Sequence, residues 1–229
     1  VEDFFYKDNK GRISAIKVTK NDYEFLGVVL EEDFHLSFPY VFKDDDSFYM
    51  VPETSANCEI RLYKSKHFPF EWEYEKTLMS NVDAADTMLF KCESKWFMLT
   101  NICSANIRDH QSELHIFYSD DLKSDNWLPI SKGNPVIFDS QKARNGGFFV
   151  NESKLYRVSQ SHGKAHYGKN FRVNEVVRIS EEEYLEKEIS IVKPNFIPSA
   201  ISTHHFNANE KIAVVDFARR QRLNKIPNN

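Results

Sequence analysis

Cysteine is scarce: Cys58, Cys92 and Cys103 are the three in 229 residues, and no two of them form a CxxC pair. A set so odd and sparse supplies neither a disulfide framework nor a zinc knuckle, and it fits a reducing, cytoplasmic compartment. A basic excess is lacking too, with 30 Lys and Arg against 34 Asp and Glu for a net charge of -4. That balance argues against the cationic grooves that grip nucleic acid or anionic membranes, so neither is expected as a partner. No run approaches the roughly 18 apolar residues of a membrane-spanning helix. GxGxxG, GxxxxGK[ST], HExxH and GxSxG are all missing, which removes the common nucleotide-binding, zinc-protease and hydrolase signatures. No Pro/Gly/Ser-rich linker divides the chain, so residues 1–229 read as one domain. The chain opens on Val1 with no charged-then-apolar leader, which reads as a fragment of a longer protein with no visible signal peptide.

What is present is core material. Hydrophobic residues make 41% and aromatics 14%, with 19 Phe and 10 Tyr, which excludes general disorder. Short runs rich in Phe, Tyr, Val and Ile alternate with clusters of Asp, Asn, Ser, Glu and Lys, the pattern of strands and turns. One helix candidate stands out, Ser180 to Glu186, with a capping-box-like Ser and a Glu three residues on; a charged turn is the equal alternative. A hairpin repeats four times, at 40–50, 88–98, 147–157 and 205–214, each with an apolar run ending at a Phe, a polar turn and a second apolar run. The markers Phe42, Phe90, Phe149 and Phe206 lie 48, 59 and 57 residues apart. Further strand-like runs follow, Glu59 to Lys64, Glu113 to Ser119 and Phe171 to Ile179. A four-stranded unit at that period is the signature of a β-propeller blade, because one small sheet cannot bury both faces alone. A β-sandwich is the competing fold. Residues 1–34 hold two strand-like runs, Arg12 to Thr19 and Phe25 to Leu30, that read as the outer half of a first, incomplete blade. With blades opening near 35, 86, 144 and 204, the expectation is an all-β, five-bladed β-propeller.

In such a blade the first strand is innermost and the second returns beside it. Residues just before the first strand and just after the second therefore meet at one mouth of the channel. Before the first strands stand His35, then Asp83 and Asp86, then Arg144, then His204 with His205. Eleven residues past the marker Phe stand Glu53, Asn101 and Gln160, with Asp216 one position earlier in the last repeat. Two such rings of polar side chains suit a hydroxyl-rich ligand. Paired carboxylates can act as acid, base or nucleophile on a glycosidic bond, and Arg, Gln and Asn supply forked donors and acceptors. Glu53 and Asp86 form the leading carboxylate pair, with a structural ion pair to Arg144 as the alternative. His35, Asn101, Arg144, Gln160 and His204 are the expected sugar-holding residues. Asp44–Asp46 and Asp120–Asp121 read as solvated turns, and Trp72, Trp96 and Trp127 as blade core. His204–His205 lack partners of fixed metal-ligand spacing, and Cys103 near His110 reads as accident, so no metal or cofactor is expected.

Several stretches resemble a known family: His35 to Phe42 followed by Tyr49 to Glu53, Leu62-Tyr63 with Phe68-Pro69 and Trp72, Asp86-Thr87, and Arg144 to Gly147. Further on come Tyr156-Arg157 with Gln160, Tyr167-Gly168, Tyr184 with Glu186, and Thr203-His204 with Val215-Asp216. The chain is similar, nearly throughout and in order, to the N-terminal propeller domain of plant glucosamine inositolphosphorylceramide transferases and to bacterial proteins of surface-polysaccharide synthesis. The resemblance implies the propeller shared by arabinanases, levansucrases and invertases, and association with a transferase or formyltransferase-like domain. Only Asp86 matches the hydrolases in kind. Their opening Asp lies in a segment absent here, and Arg144 occupies the place of their acidic Glu, so the resemblance carries over no hydrolytic triad.

Two functions follow. One is a carbohydrate-active enzyme domain performing glycosyl hydrolysis or transfer on a glycan or activated sugar in the channel. The other is a non-catalytic glycan-binding module serving a partner domain; a purely structural propeller stands third.

Overall fold

The computed structural model describes residues 1–163 and 166–220, which are almost entirely strand and turn. The first sheet, ordered β1-β2-β3, has three strands: β1 (Glu2–Phe5), β2 (Lys10–Val18) and β3 (Tyr23–Leu30). The second has four, β4 (Ser37–Asp44), β5 (Ser47–Glu53), β6 (Glu59–His67) and β7 (Glu71–Ser80). The third is built on β8 (Ala84–Cys92), β9 (Lys95–Ile102) and β10 (Glu113–Ser119), whose outer edge pairs with the short β11 (Leu128–Pro129) and β12 (Ile137–Phe138). The fourth runs β13 (Asn145–Asn151), β14 (Lys154–Gly163), β15 (His166–Ile179) and β16 (Tyr184–Val192). Within each sheet the pairings are antiparallel and, apart from that of β10 with β12, join neighbours in sequence, the up-and-down order of a propeller blade. The innermost strands β4, β8 and β13 contact one another in succession.

The cores lie between blades, as that architecture requires. Ile13 and Leu30 of the first sheet pack with Leu36 against Met50 and Tyr63 of the second. Val51, Leu62 and Leu78 of the second meet Leu89, Trp96 and Met98 of the third, with Trp127 closing the cluster. Met88, Leu99, Leu114 and Ile116 of the third meet Phe148 of the fourth. Strands β8 and β9 are therefore buried on both faces over most of their length, and their apolar residues run continuously rather than alternating.

The described residues correct the expected count: they form four blade-sized sheets, not five. After β17 (Ala200–Ser202) the predicted last hairpin does form, as β18 (Phe206–Ala208) with β19 (Ala213–Val215). The chain then turns back, and β20 (Ala218–Arg219) pairs with β17 instead of adding outer strands to that hairpin. Residues 221–229 of the expected domain lie outside the described residues. The helix candidate at Ser180 is a turn. Ser180 Oγ accepts from the backbone N–H groups of Glu182 and Glu183, and the Ser180 N–H donates to Glu183 O, so the acidic run is held in a tight bend into β16.

Two devices fix how the fourth blade sits. Gly146 and Gly147 let the 204–206 backbone approach closely: a Cβ on Gly147 would stand 1.9 Å from Phe206 O, and Gly147 has φ +132°. Inside the blade, Arg157 is fully buried and donates through Nε and Nη2 to both carboxylate oxygens of Glu186, each at 2.7 Å. Its Nη atoms also reach the carbonyls of Lys142 and Ala143, so one guanidinium ties the outermost strand to the segment entering the innermost. Burial alone would lower the Arg157 pKa, but the Glu186 carboxylate more than offsets it, so the charge is locked in. Glu186→Ala would strand that charge and is expected to cost about 3–5 kcal/mol. Glu73→Ala, which removes only an exposed partner of Lys66, is expected to cost below about 1 kcal/mol. Denaturant unfolding of the two variants checks the contrast.

Candidate functional site

Each inner strand breaks its ladder near its start. The register slips between Ser37 and Tyr40 in β4, between Ala85 and Met88 in β8, and between Asn145 and Gly147 in β13. The first two bulges each hold one residue in a left-handed conformation, Phe38 at φ +39° and Asp86 at φ +50°. A bulge re-aims the side chains beside it, and here the re-aimed ends converge on one mouth of the channel. They open onto a cavity of about 710 Å³ lined by Glu53, Asp86, Arg144, Gln160, His35 and His204 among others, a volume in the range of small-ligand sites.

The centre of the cavity is a charge cluster drawn from three blades. Asp86 is buried, and its Oδ2 accepts from Arg144 Nε at 2.6 Å and from Gln160 Nε2 at 3.0 Å. Gln160 Nε2 also reaches Asn145 O, while its Oε1, fully buried, has no partner among the described residues. Glu53, at the end of β5, accepts from Ser55 Oγ at 2.9 Å and lines the same cavity as Asp86. Burial first, and then the Asp86 charge, push the Glu53 carboxyl up to about 7, against the opposing pull of Arg144. Glu53 is thus a proton-bearing group near neutral pH.

Around this cluster stand groups that the ring pattern left out. Tyr167 lies over the Arg144 guanidinium, 5.7 Å from carbon to ring centroid, and its ring meets that of His204 edge-on. Burial holds its phenol up at about 12, so it is a neutral donor. Behind it His162 is pressed down to about 4 by burial and by the nearby Arg144 and His204 charges, leaving a neutral imidazole. Tyr167 reaches the site because Gly168 follows it at φ +63°, against Ser202 and His204; its sequence carries no ring-position signal. Glu2 also lines the cavity, and burial raises its carboxyl pKa.

The remaining expected residues have definite places. His204 Nδ1 pairs with Asp216, whose Oδ1 also accepts from the backbone N–H groups of His204 and His205. Burial would raise the Asp216 pKa, but these bonds and the His204 charge hold it below its ordinary value. His35 accepts from Gly11 N at 2.9 Å through Nδ1, joining the first two sheets at the cavity wall. Asn101 does not reach the cavity. It is fully buried, donates to Glu113 O and Ala143 O, and accepts from Asn145 N, so it clips the third blade to the fourth. Asp83 lies outside the cavity as well. Trp96 and Trp127 are core, and Asp44–Asp45 line the hairpin end away from this mouth, in a separate cavity.

With this geometry in place, relatives give it a family. The family described as glucosamine inositolphosphorylceramide transferase 1, N-terminal, matches residues 7–212. The chain is 35% identical over 172 residues to glucosamine inositolphosphorylceramide transferase 1 of Oryza sativa subsp. japonica, covering 74% of this chain and 23% of that protein. It is 31% identical over 196 residues to the protein of that name from Arabidopsis thaliana, covering 82% and 25%. The chain thus spans about a quarter of the length of these relatives. Among solved structures it is similar to a GH43 endo-arabinanase from Bacillus licheniformis, at a TM-score of 0.54 and 12% identity, covering 86% of this chain and 70% of that one. It is also similar to a Bombyx mori GH32 beta-fructofuranosidase, at a TM-score of 0.57 and 14% identity, covering 89% and 47%. At such identities these two structures carry the fold alone.

The raised Glu53 carboxyl has a thermodynamic signature. It holds its proton in the folded protein at pH values where the unfolded chain has released it, so the native state binds more protons between pH about 4.5 and about 7. Stability contributed by this group is full below about 4.5 and is lost as the pH rises toward 7. Glu53→Gln is expected to flatten the pH dependence of unfolding free energy across that window. A wild-type curve that matches the variant's there would contradict the assignment.

Proposed function

The chain belongs to the family of the N-terminal region of glucosamine inositolphosphorylceramide transferase 1, and from that premise we propose that its mouth cavity binds a glycan or an activated sugar. The observation that carries this reading is the make-up of the Glu53–Asp86–Arg144–Gln160 cluster. A carboxyl that keeps its proton near neutrality offers a donor, and Gln160 Oε1 offers an unused buried acceptor. The Arg144 Nη atoms, with no protein partner among the described residues, offer a planar fork for a vicinal diol, carboxylate or phosphate. Tyr167 adds a half-exposed ring face for a pyranose to stack on. The names of the relatives contain a transferase, a glucosamine and an inositol phosphate, and the propeller is a minor part of their length. The chain therefore serves glycosyl transfer in glycolipid or surface-polysaccharide metabolism, holding a sugar for a transferase domain of the longer protein.

A catalytic version of this role has one specific observation in its favour, the Glu53 pKa near 7, which suits a general acid. The capture of Asp86 by Arg144 and Gln160 favours the binding version, since a hydrolytic pair needs both carboxyl groups free to face the bond between them.

Titration calorimetry with glucosamine and with myo-inositol phosphate tests the site. Saturable binding of one of them is expected, weakened about tenfold or more in Arg144→Gln, since a hydrogen bond to a charged group contributes about 1.5–3 kcal/mol. Absence of binding of both probes to the wild-type chain would sink the proposal. In the longer protein, Glu53→Gln that loses turnover with affinity intact selects the catalytic version, and one that loses affinity in proportion selects the binding version.

A further inference from the structure

Outside the cavity, on the loop side of the third blade, three side chains of different chemistry meet. Asp83 immediately precedes β8, Cys103 immediately follows β9, and His110 comes from the loop that leads on to β10. One ligand atom from each, a carboxylate oxygen, the thiol sulfur and an imidazole nitrogen, lies within 4.8 Å of the other two. We propose that Asp83, Cys103 and His110 form a binding site for a divalent transition metal, with zinc as the fitting ion.

The geometry supports it at three levels. The ladder of the third blade fixes two of the ligands relative to each other, because the Cys103 N–H donates to Asp83 O at 2.8 Å. His110 is already turned inward, with Nε2 2.8 Å from Asp83 Oδ1. Ligand atoms held about 2.0–2.3 Å from one tetrahedral zinc stand roughly 3.3–3.8 Å apart, so a set this close needs only small side-chain rotations to close on an ion. The donor set itself is selective. Thiolate, imidazole and carboxylate together suit zinc, whereas magnesium and calcium take oxygen ligands.

The neighbouring acids do not complete the shell. Asp109 Oδ1 accepts from the N–H groups of Gln111 and Ser112 and its Oδ2 from Ser112 Oγ, while Glu113 accepts from Ser104 Oγ and His115. They add negative charge around Cys103 without offering free ligands, so the fourth position falls to water. Asp83 and His110 are partly exposed, which leaves an entry path. Binding replaces the thiol proton with the metal and releases that proton to solvent, so affinity rises with pH. None of the three residues lines the mouth cavity, and the site stands whether or not a sugar binds there.

The test uses the whole chain, stripped with a chelator and dialysed, then titrated with zinc chloride and separately with cobalt(II) chloride. One equivalent is expected to bind, with a thiolate-to-cobalt charge-transfer band, tetrahedral visible bands, and a zinc-dependent rise in Tm. Cys103→Ser and His110→Ala are each expected to weaken zinc about tenfold or more and to abolish the charge-transfer band or shift it. Circular dichroism checks that both variants fold. A double variant, Cys58→Ser with Cys92→Ser, removes the other two thiols and is expected to bind as the wild type does. The proposal is overturned if the wild-type chain takes up no stoichiometric metal. It is overturned equally if the cobalt spectrum lacks a thiolate band, or if both ligand variants bind zinc undiminished.

Discussion

The ion pair between Asp86 and Arg144 is the interaction on which the site depends. It joins a bulge in the third blade to the residue that enters the fourth, and both members are largely withdrawn from water. A pair so placed leans on the hydrogen bonds around it to offset the cost of burial. Gln160 donates to Asp86 and Tyr167 lies over the guanidinium, while Gln160 Oε1 keeps no partner among the described residues. Burial of Glu53 itself, and then the Asp86 charge from the next blade, raise the Glu53 carboxyl. The acidity of the cavity is therefore a property of how two blades meet, rather than of any one side chain.

The blades themselves are held apart at fixed angles by polar clips. Asn101 and Asn145 exchange bonds with each other and with the carbonyls of Asp86, Leu99 and Ala143 between the third and fourth sheets. Arg157 and Glu186 brace the fourth sheet from edge to centre. Apolar packing between sheets is tolerant of sliding, because dispersion is short-ranged but non-directional. Directional bonds to backbone atoms are not, and they set the positions of the cavity groups.

Much of this was legible in the sequence. The hairpin repeat located the inner strands, because turn position and marker Phe are set by local chemistry within each blade. The ring logic brought Glu53, Asp86, Arg144, Gln160, His35 and His204 to one cavity, because the ends of neighbouring inner strands converge there. Asn101 occupies the same offset as Glu53 and Gln160 yet points into the blade interface. Its amide is captured by the backbone at Ala143 and Asn145, a contact between blades that no local pattern records. Tyr167 escaped for a related reason, since it is delivered by a close approach at Gly168 and not by a strand end. The last repeat showed the opposite failure. Its hairpin was real, but among the described residues the chain returns to β17 rather than adding outer strands, and pairing partners are a tertiary choice.

The bulges near the start of β4, β8 and β13 have a consequence for how such a molecule can change. Each places its cargo by angle about the shaft, so the spacing of modules around the ring is part of the site's specification. Gain of a single repeat between Glu53 and Arg144 would leave every blade intact. It would also swing the partners of Asp86 to different points of the compass and dismantle the cluster. The number of modules in that stretch of chain is therefore constrained as tightly as the identity of the residues they carry.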